Sequence, residues 1–227
     1  MTAGAVFDVD GTLLDSMGIW ISLGSRYLRS LGYDPPPDLD DRLRVMSLPQ
    51  GVRFCRRICG MRESEEEILG GIRGVITGFY RERALLKPGA KEFLVSLAEA
   101  GIPLAVATAS DPSLVRAAFR RLEILSLFRG ILTCSDLGVG KDSPFLFEEA
   151  LSLLGTSRDK TYVFEDSFLA LSTAKEAGFP TVAVYDPHEE DQVRLMNTAG
   201  CYLRDFRDPS AFWRYAELPG PRKGGNP

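Results

Sequence analysis

Val6-Phe7-Asp8-Val9-Asp10-Gly11-Thr12-Leu13-Leu14-Asp15 is the stretch on which the reading of this chain turns. An apolar run ends in two carboxylates spaced i, i+2, and a glycine follows at once. Alternate residues of a strand share a face. Asp8 and Asp10 therefore point the same way if the strand continues, unless Asp10 already sits in the turn. In both cases two acids crowded at a strand end repel each other, and a cation or a shared proton has to compensate them. A hard divalent cation is the expected partner, with one of the acids performing chemistry.

Outward from this stretch the 227 residues change character twice. Ala3–Phe7 reads as a short, fully buried strand. Residues 16–86 show helical spacing and no strand pattern. Trp20, Leu23, Tyr27, Leu28 and Leu31 recur as one helix face, stopped by Gly32. Asp38 or Asp40 caps a short helix through Met46, and a further helix covers Pro49–Cys59. Ser64 and Glu67 form a capping box for a helix running to Arg83. Beyond Lys87-Pro88-Gly89, helices alternate with apolar strands. The helices are Ala90–Ala100, Pro112–Arg121, Pro144–Leu154, Phe168–Ala177, Glu189–Thr198 and Pro209–Tyr215. The strands are Pro103–Ala107, Ile131–Thr133, Thr161–Phe164, Thr181–Val184 and Tyr202–Leu203. Such alternation predicts right-handed βαβ crossovers and a parallel sheet covered on both faces, an α/β fold. The expected division is 1–15 with 87–218 as the α/β core, 16–86 as a helical insert, and 219–227 as a disordered tail.

In an open parallel sheet, ligands gather at the carboxyl ends of the strands. The polar clusters fall there. Asp8 and Asp10 end the first strand. Thr108-Ala109-Ser110-Asp111 ends the second, where free N–H groups at a helix start suit an anion. Lys141 follows the third, and Glu165-Asp166 ends a fourth. Gly138-Val139-Gly140-Lys141 is not a nucleotide P-loop, because the first glycine of that motif would fall at Ser135 and Asp142 follows the lysine.

Charge and composition exclude other classes. A net charge of −4 provides no basic excess for nucleic acid or an anionic membrane. No apolar run approaches membrane-spanning length, and no leader is visible, so a cytoplasmic location is expected. His188 is the sole histidine. Cys55 and Cys59, one turn apart, have no further ligands nearby to make a zinc site and read as helix packing.

The polar clusters together resemble the haloacid dehalogenase superfamily. The four motifs are D-x-D-G-T-[LV]-x-D-[ST] at Asp8–Ser16, the strand-ending Thr108, the lysine of G-K-x-x-P at Gly140–Pro144, and F-E-D-S at Phe164–Ser167. Ala174-x-x-Ala177-Gly178 adds to the likeness. The helical insert resembles the C1 cap of the branch containing β-phosphoglucomutase and phosphoglycolate phosphatase. The resemblance implies a Rossmann-like three-layer core. It implies Asp8 as nucleophile forming an aspartyl-phosphate, and Asp10 as acid and then base. Thr108, Ala109, Ser110 and Lys141 would hold the phosphoryl group. Mg²⁺ would be bound by Asp8, the Asp10 carbonyl and Asp166, with help from Glu165.

The acid at Asp10 favours phosphoryl over halide chemistry. The expected activity is that of a phosphatase acting on a small phosphorylated metabolite, such as a sugar phosphate, in a monomer or weak homodimer. Two alternatives are a β-phosphoglucomutase-type phosphomutase and a non-catalytic phosphate-binding module. The mutase cap resembles K-G-x-S-R and carries an early histidine, where this chain has Arg44-Val45-Met46-Ser47-Leu48 and Trp20. Arg53, Arg56 and Arg57, on one helix side, read as solvated in preference to contacting an acidic substrate.

Overall fold

The computed structural model describes residues 3–43, 46 and 48–220. It divides into two compact units, Met1–Asp15 with Leu85–Pro227, and Ser16–Ala84.

In chain order, β1 (Gly4–Phe7) is followed by a two-residue strand, β2 (Leu14–Asp15). The helical unit then contains α1 (Met17–Ile21), α2 (Leu23–Ser30), α3 (Leu39–Leu43), α4 (Leu48–Cys59) and α5 (Glu65–Gly78). The chain returns through β3 (Leu85–Leu86), α6 (Ala90–Glu99), β4 (Leu104–Thr108), α7 (Pro112–Arg121) and β5 (Phe128–Thr133). It continues with α8 (Cys134–Leu137), α9 (Phe145–Leu154), β6 (Thr161–Glu165), α10 (Phe168–Glu176), β7 (Thr181–Val184), α11 (Gln192–Thr198), β8 (Cys201–Leu203) and α12 (Ser210–Tyr215).

Among the described residues the main sheet has six parallel strands in the order β5-β4-β1-β6-β7-β8. β1 lies inside it, flanked by β4 and β6. Its residues are buried on both sides, and period two assigns them to two layers. Val6, with Ala105 and Val163 of the neighbouring strands, packs on Leu146, Phe147 and Ala150 of α9 and on Ala170 of α10. Phe7 lies on the other face. It stacks on its register partner Phe164 at 4.3 Å between ring centroids and meets Phe93 of α6 edge-on at 6.3 Å. Phe93 in turn packs against Phe206 and Phe212. The expected α/β core with helices on both faces is present.

In the helical unit, Tyr27, Leu28, Leu39, Val52, Cys55, Ile68 and Ile72 form a separate core. Ser64 and Glu67 make the capping box in both directions, with Glu67 N–H to Ser64 Oγ at 3.2 Å and Ser64 N–H to Glu67 Oε2 at 2.8 Å. Gly71 is needed for packing, because a Cβ there would lie 2.4 Å from the Tyr27 ring. Cys55 is buried and Cys59 half-buried, and both thiols are free. Arg53 and Arg56 reach Glu65 at 3.6 and 3.9 Å, while Arg57 lies over the Phe54 ring.

Several local expectations change. The helix expected across Trp20–Leu31 divides at Ser22, whose hydroxyl bonds back to the Gly18 carbonyl at 2.5 Å. Such a back-bond competes with the regular ladder. The helix from Ser64 becomes a π turn over Phe79–Arg83. The division between the units falls at Leu85 rather than 87, because Leu85 and Leu86 pair antiparallel with Asp15 and Leu14. Lys87 follows, buried, with its ammonium 2.7 Å from Asp186 and 2.6 Å from the Tyr185 carbonyl. Of the mutase-like comparison stretch, Arg44, Val45 and Ser47 lie outside the described residues, as does the expected tail from 221 onward. Among the described residues no helix is long and apolar enough to cross a membrane.

Candidate active site

The site grows from the exit of β1. β1 stops at Phe7, and Asp10 lies at the neck of the turn, bridged to Leu14, so regular strand alternation does not carry through Asp8 and Asp10. Asp8 is buried, and its N–H donates to the Phe164 carbonyl at 3.0 Å. The next residues fold tightly. Leu13 and Leu14 N–H donate to the Val9 carbonyl at 3.0 and 2.7 Å, and Gly11 N–H donates to Leu14 at 3.0 Å. Gly11 has φ +84°, and a Cβ there would sit 2.1 Å from Oδ2 of Asp166. Glycine is thus required twice, for the backbone turn and for the approach of the carboxylate. Thr12 donates its hydroxyl to the other oxygen of Asp166 at 2.8 Å.

The neighbouring strand exits supply the rest. Lys141 follows α8, past Gly138 at φ +67°. Its ammonium donates to Asp8 Oδ1 and to Glu165 Oε1, the latter at 2.5 Å. Thr108 is buried at the end of β4, and its Oγ1 accepts from the Ser110 N–H at 3.1 Å. Ser110 donates its hydroxyl to Asp10 Oδ2. Asp111 caps α7, accepting from Ser113 N–H at 2.7 Å.

Of the expected residues, Asp8, Glu165, Asp166 and Lys141 therefore meet directly. The Asp10 carboxylate faces Ser110 and is not one of the three acids whose oxygens converge, though its charge still acts on Asp8. Ser110, expected among the residues holding phosphate, directs its hydroxyl at Asp10 and its N–H at Thr108 Oγ1. Three contributors went unassigned in the sequence: Gly11, Thr12 and Glu189. Glu189 Oε2 accepts from the Phe168 N–H at 2.9 Å, capping the helix that starts beside Asp166, where Ser167 makes no side-chain cap. The position of Glu189 just past β7 was the available signal for it.

Ligand oxygens of Asp8, Glu165 and Asp166 lie within 4.8 Å of one another. Burial raises all three carboxyls above their ordinary range, with Lys141 opposing, and Glu165 is pushed up to about 7. Burial lowers the Lys141 ammonium, but Asp8 and Glu165 outweigh it and hold it firmly protonated. Three buried acids thus face one ammonium. An all-oxygen, over-acidic donor set fits a hard cation such as Mg²⁺.

A thermal prediction follows. A carboxyl raised from its ordinary 4.5 to about 7 favours folding when protonated. That contribution is full below the ordinary value and is lost as pH rises through about 7. The metal-free protein should weaken over this interval. Mg²⁺, which competes with those protons, should raise Tm by an increment that grows from about pH 5 to about pH 8, and a free concentration a hundredfold above Kd corresponds to about 2.7 kcal/mol of added stability. Scanning calorimetry with Mg²⁺ or chelator checks it; an increment that shrinks with rising pH contradicts it.

Comparison with known proteins agrees with this geometry. The family model described as "Haloacid dehalogenase-like hydrolase" matches residues 5–184. Protein CbbY, plasmid, from Cupriavidus necator is 27% identical over 192 residues, 78% of this chain and 76% of that protein. A putative β-phosphoglucomutase from Thermotoga maritima has the same fold, with TM-score 0.79, 24% identity, and coverage of 89% of this chain and 94% of the other. A single-substitution mutant of CbbY from Rhodobacter sphaeroides, in complex with xylulose-(1,5)bisphosphate, superposes with TM-score 0.68 and 22% identity, covering 92% of this chain and 96% of the other. The match takes in Asp8, Asp10, Thr108, Lys141, Glu165 and Asp166, so the chain is an enzyme belonging to the haloacid dehalogenase-like hydrolase family.

Proposed function

We propose that this protein is a Mg²⁺-dependent phosphatase that hydrolyses a small phosphorylated metabolite, a sugar phosphate or bisphosphate, through an aspartyl-phosphate at Asp8. The observation carrying this reading is the Lys141 ammonium bound to both Asp8 and Glu165, beside Asp166. It holds an ionised carboxylate with one oxygen fixed, at the carboxyl end of a central strand. The CbbY relatives support the sugar class, since one of them is seen with a sugar bisphosphate.

Asp8 attacks phosphorus while Asp10 gives its proton to the departing oxygen. Asp10 then takes a proton from water, which attacks the aspartyl-phosphate and releases phosphate. Lys141, the Thr108 hydroxyl and the Ala109 backbone are assigned to the phosphoryl oxygens, where positioned donors act on developing charge. Asp8, Asp166 and the Asp10 carbonyl are assigned to Mg²⁺, with help from Glu165, which also holds Lys141. When bound, the ion neutralises charge on nucleophile and phosphoryl group. The unit Ser16–Ala84 is read as the part that selects the ester.

A panel of phosphorylated sugars assayed for released phosphate tests this. Release should require Mg²⁺ and vanish with chelator. Interconversion of hexose 1- and 6-phosphates without net release would assign a mutase instead. Absence of both activities would leave a phosphate-binding module.

A further inference from the structure

β1 and β4 are neighbours in the sheet, and their exits place Asp10 opposite Ser110. The turn carrying Ser110 is fixed on both sides. Its own N–H is bonded to Thr108 Oγ1, and the next residue, Asp111, is engaged as the cap of α7. Ser110 is itself buried, with its hydroxyl directed at Asp10 Oδ2. A hydroxyl has one proton to donate and two sites that accept. While that proton is on Asp10, it is not on a phosphoryl oxygen. A carboxyl that is protonated on one oxygen still accepts on the other.

We propose that Ser110 is a positioning residue for Asp10, holding its carboxyl in line in both charge states. The inference rests on the assignment of Asp10 as the proton shuttle. In the first half-reaction the bond from Asp8 oxygen to phosphorus forms and the ester bond from phosphorus to oxygen breaks. The Asp10 proton goes to the leaving alkoxide, and Asp10 becomes a carboxylate that accepts from Ser110. In the second, Asp10 takes a proton from water as the water oxygen bonds to phosphorus. The Asp8–phosphorus bond breaks and Asp8 returns as carboxylate. The proton taken from water lies on the Asp10 oxygen that faces the reacting group, while Oδ2 stays on the Ser110 hydroxyl through both halves of the cycle.

The test uses leaving groups that differ in their need for a proton. Nitrophenolate departs unprotonated, whereas a sugar or simple alkyl alkoxide does not. For each ester, kcat/KM reports steps up to formation of the aspartyl-phosphate. Ser110→Ala should lower kcat/KM for an alkyl phosphate about 10²-fold more than for 4-nitrophenyl phosphate, the low end of what general acid catalysis contributes. Ser110→Thr, which keeps the hydroxyl, should restore the parent ratio. Ser110→Cys, of similar size and a weaker donor, should shift the ratio in the same direction as alanine, and it serves if the alanine variant folds poorly. Equal losses on both esters would make Ser110 a phosphate ligand, and no loss would make the contact idle; either overturns the proposal. Asp8→Asn assayed in parallel must lose both esters. If it keeps them, the aspartyl-phosphate reading fails independently of the Ser110 ratio.

Discussion

Lys141→Met should lose phosphatase activity and, in the absence of Mg²⁺, about 3–5 kcal/mol of folding stability at about pH 8, the usual cost of removing one partner from a buried charge network. Asp8, Glu165 and Asp166 would remain buried with no ammonium among them. A loss of this size is a large fraction of the roughly 5–15 kcal/mol that holds a typical protein folded. The penalty should be much smaller at about pH 5. Without the ammonium the carboxyls move further upward, so they accept protons there instead of repelling one another. Adding Glu165→Gln to Lys141→Met should recover part of the stability and none of the activity, because the lost phosphoryl contact is not replaced. Denaturant unfolding of the three proteins at both pH values checks this. A penalty independent of pH would mean that Lys141 acts by packing alone.

Asp8→Asn should reduce turnover about 10⁴- to 10⁶-fold, the scale seen when a covalent nucleophile is removed. An amide is close in shape to the carboxylate but does not attack phosphorus. The variant should nevertheless stay folded. Its carbonyl oxygen can keep the bond from Lys141, and one negative charge leaves an over-acidic cluster. Its Tm without Mg²⁺ should equal or exceed that of the parent. The two substitutions touch the same ion pair yet separate its functions. Lys141→Met damages fold and activity together, and Asp8→Asn damages activity alone. A large fall in Tm for Asp8→Asn would show that the Asp8 charge is needed structurally.

Much of this site was legible because its signals are local. Val6-Phe7 followed by Asp8 and Gly11 marks a buried strand that ends in an acidic turn. Thr108, Lys141, Glu165 and Asp166 could be placed at other exits once the strands and helices were seen to alternate. The Ser64–Glu67 capping box was likewise readable over four residues. Unread features lack such a local mark. β2 and β3 have two residues each, too few for a period to show, and their pairing moved the boundary between the units to Leu85. Ser22 looked like any residue within an amphipathic run, and its back-bond to Gly18 divides the helix. The Ser110–Asp10 contact spans 100 residues, and Thr12–Asp166 spans 154. Their partners become evident only when neighbouring strands are aligned. Nothing local in the sequence pairs Lys87 with Asp186, 99 residues away, which the fold buries together.

If Asp8 carries the phosphoryl group, chemical trapping will locate it there. The Asp10→Asn variant is mixed with 4-nitrophenyl phosphate and Mg²⁺, acid-quenched and reduced with borohydride. Reduction converts an aspartyl-phosphate to homoserine, which peptide mass spectrometry locates. The geometry around Lys141 and Asp166 predicts homoserine at position 8 and its absence when substrate is omitted. Homoserine at another aspartate, or full release of nitrophenol in a single turnover with none at position 8, would contradict it.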